Sequence, residues 1–327
     1  MTREPLSHRF GIVLAAGNGI RIQSFIKDFY GNNLPKQYVN FIGKRSMLEH
    51  TFHRMERLIR SERIYTVISE NHLFYPEVRH QLSSRMAGTV ILQPENKDTG
   101  PGLLLPLVYL HYKNPDGIVV IFPSDHFIVE EELFIKQVEF AFQAVEQNQS
   151  VGILLGVQPD EPETEYGYIL PIKGRAIISP SKIHKIAEFI EKPSVITAKQ
   201  LISKGALWNT MVMVFKVKTL LNLFKNVDPI LYTAFENIGK GIGSSSERKV
   251  ISKTYRVLNP LNFSRGILQV VSQCIPSNLG VLPVTGVQWS DWGNGLRIMD
   301  ALRKYNLVCK NGKLLTNQIT KKIGALT

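Results

Sequence analysis

Cysteine is scarce in this chain of 327 residues. Its two cysteines, Cys274 and Cys309, have neither the CxxC spacing of a redox or zinc motif nor the numbers for a disulfide framework, so buried free thiols are expected. Long hydrophobic runs are missing too. No stretch approaches the roughly 20 apolar residues that a bilayer span needs, and the opening MTREPLSHRF lacks the apolar core of a secretory signal. The expectation is a cytoplasmic protein with no membrane partner. Charge is unbalanced, with 39 Lys and Arg against 27 Asp and Glu, a net +12. Such an excess can serve nucleic acid, a membrane surface or small anionic substrates. The basic residues are scattered singly, with small pairs at Arg303-Lys304 and Lys321-Lys322, and no Lys/Arg block is interleaved with aromatics. Nucleic acid is therefore not an expected partner. There is no internal repeat.

What is present is a 44% hydrophobic content, enough for a packed core. Apolar runs that suit buried strands recur at Ile12–Ala16, Tyr65–Ser69, Thr89–Leu92, Ile118–Phe122 and Val151–Val157, with helix-length segments between most of them. That alternation predicts an α/β fold, a mainly parallel sheet covered on both faces. Ser46 to Arg60 and Leu133 to Val145 carry apolar residues at helical spacing. After Leu170, KIHKIAEFIEK and TMVMVFKVK read as strands around a short helix, Val195 to Ser203. Leu220 to Gln273 reads as mostly helical, broken by a Gly/Ser loop at Gly239 to Glu247. A last strand is expected at Gly280 to Val284. The organisation expected is a core over residues 1–225 and a mostly helical extension over 226–327.

Chemistry is first suggested by FGIVLAAGNGIRI, Phe10 to Ile22. A buried strand stopping in a Gly-rich turn presents backbone N–H groups to an anion, and Arg21 adds a permanently charged donor set. An ordinary strand–helix turn would look similar. The turn lacks the GKS or GKT ending of a P-loop and the third glycine of a dinucleotide fingerprint.

Read together with Pro35-Lys36-Gln37, this opening resembles the sugar-1-phosphate nucleotidyltransferase family, whose chains begin with a LAGGxGTRL-type loop followed by PKQ. The likeness continues in order through QPENKDTGPG (Gln93 to Gly102), FPSDHFI (Phe122 to Ile128), YGYI (Tyr166 to Ile169), EFIEKP (Glu188 to Pro193), WNTMVMVF (Trp208 to Phe215) and WSDWGN (Trp289 to Asn294). Within the family it is most similar to the mannose-1-phosphate guanylyltransferases. The resemblance implies a Rossmann-like, mixed sheet with helices on both faces, and transfer of a nucleotidyl group to a hexose 1-phosphate with release of pyrophosphate. GTP and mannose 1-phosphate are the favoured substrates, and a homo-oligomer is possible within the family.

Residue by residue, the resemblance gives Arg21 and Lys36 the reacting phosphates, and Leu14, Ala16, Gly17 and Gly19 the nucleotide's phosphate turn. Gln93, Asn96 and Thr99 would face the base, and Gly167, Glu191, Lys192 and Asn209 the sugar phosphate. Asp125 and Asp291 would hold Mg2+, which favours one or two carboxylates with phosphate oxygens and water. Trp208, Trp289 and Trp292 are expected as pocket walls and core.

Three positions depart from the family pattern. Ile20 stands at the loop threonine, Met211 replaces a small residue after Trp208-Asn209-Thr210, and NFSRGIL (Asn262 to Leu268) lacks an acidic residue found in the guanylyltransferases. These departures leave open a non-catalytic nucleotide-sugar-binding relative with a regulatory or scaffolding role, or an enzyme for another base and sugar phosphate. The roughly 30 residues after WSDWGN are too few for an appended cupin domain, and no β-helix domain is expected.

Overall fold

The computed structural model describes residues 8–31, 33–176, 182–274 and 279–305. Cys309 and Lys321-Lys322 lie outside the described residues, as does the side chain of Cys274. In chain order the strands are β1 (Arg9–Leu14), β2 (Ile64–Ser69), β3 (Val90–Gln93), β4 (Ile118–Pro123), β5 (Phe127–Ile128), β6 (Gly152–Val157), β7 (Gly167–Ala176), β8 (His184–Glu191), β9 (Leu207–Lys216), β10 (Leu279–Val284) and β11 (Trp289–Ser290). The helices are α1 (Gln23–Tyr30), α2 (Met47–Met55), α3 (Pro76–Leu82), α4 (Thr99–Lys113), α5 (Glu131–Gln147), α6 (Val195–Ser203), α7 (Val217–Val227), α8 (Pro229–Gly241), α9 (Glu247–Val257), α10 (Val270–Cys274) and α11 (Gly295–Lys304).

Nine strands form one twisted layer in the order β3-β2-β1-β4-β9-β6-β10-β8-β7. The half from β3 to β4 is parallel, as is β6 with β10. β9 enters between β4 and β6 antiparallel to both, and β8 and β7 are also antiparallel to their neighbours. The sheet is therefore mixed, parallel where helical crossovers connect the strands and antiparallel where β7 and β8 return directly. Separate apolar clusters pack on its two faces. β10, from the last third of the chain, lies inside the layer beside β6, so residues beyond 226 contribute to the core sheet as well as to helices.

Local chemistry explains the elements that frame the site. α2 starts with a capping box: Ser46 Oγ accepts from the Glu49 amide at 3.2 Å, and Glu49 Oε2 accepts from the Ser46 amide at 2.7 Å. β1 stops at Leu14, so Ala15 and Ala16, expected as its last residues, belong to the turn. α4 is apolar on every side and buried from Gly100 to Leu110, as expected of a helix enclosed between the sheet and α7 and α8. α8 runs through Gly241, which shortens the expected Gly/Ser loop at its amino-terminal end. NFSRGIL winds into a π-helix over Ser264–Gln269. The short ribbon of β5 and β11 pairs Trp289 with Ile128 and Ser290 with Phe127. It carries WSDWGN back to the end of β4.

Candidate active site

The Gly-rich turn leaves the carboxyl end of β1, next to the end of β4, where open α/β sheets bind ligands. Leu14 pairs with Pro123, and the Leu14 carbonyl accepts from the Ser124 amide at 3.2 Å. Gln37 clamps the turn from below, its Nε2 donating to the carbonyls of Ala15 at 2.7 Å and Gly17 at 2.8 Å. Gly19 needs to be glycine on two counts. Its φ is +61°, and an added Cβ would lie 3.1 Å from the Lys36 backbone nitrogen. Around Gly17 a Cβ would meet nothing within 4 Å, so that edge of the turn is open to a ligand. Arg21 stands exposed on a 3-10 turn, Ile20–Ile22, paired with Glu165 and 3.9 Å from Asp291 Oδ2. Ile20, in place of the family's threonine, is 74% exposed on the same lip.

Lys36 joins three distant segments. Its buried side chain places Nζ 2.9 Å from Asp125 Oδ2 and donates as well to the main-chain carbonyl of Asp291. Burial, the largest single influence, acts to raise the Asp125 pKa, but the cationic groups around it, Lys36 foremost, together outweigh it and hold the carboxyl below the ordinary aspartate value. The Asp125 side chain is still 35% exposed and open to a ligand. Asp291 is fixed on one oxygen: Oδ1 accepts from Tyr166 Oη at 2.7 Å, the Gly293 amide at 2.9 Å and Arg297 Nη1 at 2.9 Å. Its other oxygen, Oδ2, faces Arg21. His126 accepts from Trp289 Nε1 at 3.2 Å, and burial holds its pKa down to about 4, so the imidazole is neutral.

The residues expected at the base span the end of β3, the loop after it and the first residue of α4. Gln93 is 1% exposed, and its Oε1 has no hydrogen-bond partner among the described residues. A buried acceptor left open in this way suits a ligand's donor. Asn96 and Thr99 are partly engaged in shaping the loop. Asn96 Oδ1 accepts from the Asp98 amide at 2.9 Å, and Thr99 Oγ1 accepts from the Phe263 amide at 2.8 Å. NFSRGIL thus braces this loop rather than lying apart from it.

On the other side, β8 ends at Glu191, whose carboxyl pKa is pushed up to about 7 by burial against the lowering effect of Lys192 and Arg265. Asp98 of the base-side loop and Glu165, the partner of Arg21, also raise it. Gly167, expected to let a sugar reach the backbone, has a different local reason. A Cβ there would lie 2.6 Å from Glu191 Oε2 and 2.8 Å from Phe189 Cζ, so its missing side chain makes room for Glu191. Lys192 is exposed at φ +51°, with its amide donating to the Tyr166 carbonyl at 3.0 Å. Asn209 Oδ1 accepts from the Met211 amide at 3.1 Å, and Met211 sits at φ +56° on the bulge of β9, with Ser264 Oγ donating to its sulfur at 3.2 Å. Trp208 and Trp292 are buried. Trp208 and Trp289 both meet the Tyr166 ring edge-on.

Four residues of the site were not singled out in the sequence. Gln37, Tyr166, Arg297 and Glu163 shape the turn or anchor Asp291, and Glu163 does so by pairing with Arg297. Gln37, within PKQ, and Tyr166, within YGYI, stood in motifs that could have singled them out for this work. A cavity of about 810 Å³ lies elsewhere, between α2 and α5 beside His126. None of the expected site residues is among its described lining.

A family model described as nucleotidyl transferase matches residues 10–306. A mannose-1-phosphate guanylyltransferase of Salmonella montevideo is 31% identical over 228 residues, 68% of this chain and 46% of that protein. Another, from Salmonella muenchen, is 26% identical over 306 residues, 91% of this chain and 60% of its own length. This chain thus spans about half the length of the curated relatives it matches. Among solved structures, a mannose-1-phosphate geranyltransferase from Thermus thermophilus shares the fold, with a TM-score of 0.73 at 23% identity over 92% of this chain and 80% of that one. With nearly all of its described sheet inside the matched region, the chain belongs to the nucleotidyl transferase family.

Proposed function

We propose that the chain transfers a nucleotidyl group from a nucleoside triphosphate to a hexose 1-phosphate, with GTP and mannose 1-phosphate as substrates and GDP-mannose and pyrophosphate as products. The observation that carries this reading is the contact of Lys36 with both Asp125 and Asp291 beside the Gly-rich turn. Cations, carboxylates and an open anion-binding turn at one sheet edge are what phosphoryl chemistry requires. The printed names of the guanylyltransferase relatives favour the guanine and mannose assignments. Relatives named for xanthan and alginate biosynthesis favour a product used in polysaccharide assembly. No described helix is long and apolar enough to cross a membrane, and a cytoplasmic location, with self-association as in many enzymes, completes the proposal.

In this reaction an oxygen of the sugar phosphate attacks the α-phosphorus, forming a new P–O bond as the bond to the β-phosphate oxygen breaks and pyrophosphate departs. Arg21 and the turn amides hold the triphosphate. Lys36 balances charge at the reacting centre, and Gln93 offers its open acceptor to the base. Glu191, Lys192 and Asn209 hold the sugar phosphate. Asp125 and Asp291 suit Mg2+: they are two hard carboxylates, each with an oxygen not taken by a protein donor at hydrogen-bond distance. When bound, the ion would neutralise charge between the two anionic substrates. Protein positioning contributes the rest.

The test is to incubate the purified protein with GTP, ATP, UTP, CTP and dTTP against a panel of sugar 1-phosphates and follow pyrophosphate release. Release with GTP and mannose 1-phosphate is expected. Retained nucleotide binding with no release across the panel would favour the non-catalytic reading, for which Met211 at positive φ and Ile20 on the lip are the specific observations.

A further inference from the structure

Beneath the phosphate turn lies a buried pair that the reaction described above does not use. His72, just after β2, is 2% exposed, and Tyr38, two residues past Lys36, is 1% exposed. Their rings meet edge-on with centroids 5.4 Å apart, and Tyr38 Oη lies 3.0 Å from His72 Nδ1. The other ring nitrogen, Nε2, lies 3.1 Å from Oδ1 of Asn18, the residue between Gly17 and Gly19. An amide oxygen only accepts, so Nε2 carries the hydrogen and Nδ1 accepts from Tyr38. Burial holds the His72 pKa down to about 4, which keeps the imidazole neutral through the physiological range.

An exposed asparagine in a turn is ordinarily free to rotate. Asn18 is exposed, yet its oxygen is tied to a buried histidine. The planar amide then turns Nδ2 away from His72, and Nδ2 has no hydrogen bond among the described residues. A donor held in a fixed direction on an anion-binding turn is pre-organised for a phosphate oxygen.

We infer that Asn18 is a further contact to the triphosphate, with its side-chain amide aimed by His72 acting as a positioning residue. This rests on the nucleotidyl-transfer reading. His72 and Tyr38 thereby link the buried floor of the site to the one polar side chain inside the Gly17–Gly19 turn.

The experiment is calorimetric titration with whichever of GTP, ATP, UTP and CTP the wild type binds most tightly, alongside separate KM values for nucleotide and sugar phosphate. Asn18→Ala should weaken nucleotide binding about tenfold or more, the usual loss for one hydrogen bond to a charged group, with KM for the sugar phosphate unchanged. Asn18→Asp, which puts a carboxylate at the phosphates, should weaken it further. His72→Ala should match Asn18→Ala and add less than about threefold in its background, whereas His72→Gln, which keeps an N–H donor, should recover most of the affinity. If His72→Ala fails to fold, the exposed Asn18→Ala and Asn18→Asp decide. Wild-type affinity in Asn18→Ala or Asn18→Asp, or an undiminished effect of His72→Ala in the Asn18→Ala background, overturns the inference and leaves the nucleotidyl-transfer reading standing. A wild type that binds none of the four nucleotides overturns both.

Discussion

Lys36 and Asp125 stand 89 positions apart in the chain, and their side chains meet at 2.9 Å. The same ammonium donates to the main chain of Asp291. One buried cation therefore ties the Pro35-Lys36-Gln37 segment, the end of β4 and the returning WSDWGN segment into a single site.

Replacing that cation tests its electrostatic role. Lys36 holds the folded-state pKa of Asp125 below its ordinary value. The pair's stabilisation is therefore fully present above the ordinary aspartate pKa and is lost as pH falls through the depressed one. In Lys36→Met the foremost lowering influence is gone, and burial, which works the other way, gains weight. The gap in melting temperature between wild type and variant should widen from pH 3 to pH 8, and kcat/KM should fall by about a hundredfold or more. A gap that does not change with pH would contradict the pairing.

The turn makes a separate prediction. Gly19→Val places a β-branched residue at φ +61° and its Cβ 3.1 Å from the Lys36 backbone. A left-handed conformation alone costs an L-residue about 1–2 kcal/mol. Triphosphate affinity measured by calorimetry should drop at least tenfold in a variant that still melts cooperatively. Unchanged affinity would make the turn structural only.

Glu191 supplies a pH signature of opposite sign. Its folded pKa is raised to about 7 by burial, so ionisation destabilises the fold increasingly as pH climbs from the unfolded value, about 4.3, to 7. The penalty is fully present above 7. Melting curves of wild type and Glu191→Gln should coincide near pH 4 and separate at pH 8 with the variant the more stable. Parallel curves would show that the carboxyl is not strained.

Lys192→Ala should raise KM for the sugar phosphate on the order of ten- to a hundredfold, equivalent to about 1.5–3 kcal/mol for one charge-assisted contact. KM for the nucleotide should hardly move. Equal effects on both would remove Lys192 from the sugar-phosphate side.

Much of this architecture was legible in the sequence. The runs at Ile118–Pro123 and Gly152–Val157 are buried throughout, and such strands are readable because nothing on either face dilutes the apolar pattern. α6 and the start of α2 after Ser46 were equally plain, since their signals are local. Insertion of β9 between β4 and β6 was not legible, because pairing partners are chosen by long-range packing that periodicity does not encode. α4 contains Pro101 and Pro106 and has no polar face, so it offers no 3.6-residue alternation to read. Within the site, the charged residues of recognisable motifs, Arg21, Lys36, Asp125 and Asp291, do converge. Their supports do not stand out in one dimension. Arg297 reads as a solvated arginine on an amphipathic helix, yet it grips Asp291 and stacks its guanidinium 4.9 Å from the Tyr166 ring centre. His72 reads as a loop histidine until Asn18 and Tyr38 are placed around it.

The central claim, that Asp125 and Asp291 serve one divalent ion in nucleotidyl transfer, is tested most directly by a double-mutant cycle on kcat/KM for pyrophosphate release at saturating magnesium. Asparagine keeps the size of each aspartate and, at position 291, keeps an oxygen to accept from Tyr166 and Gly293 while removing the charge. Each single variant, Asp125→Asn or Asp291→Asn, should lose activity by about a hundredfold or more with its melting transition intact. The double variant should lose little beyond the worse single one, since ligands of one ion act as a unit. Fully multiplicative losses, or wild-type turnover in either single variant, would contradict a shared metal.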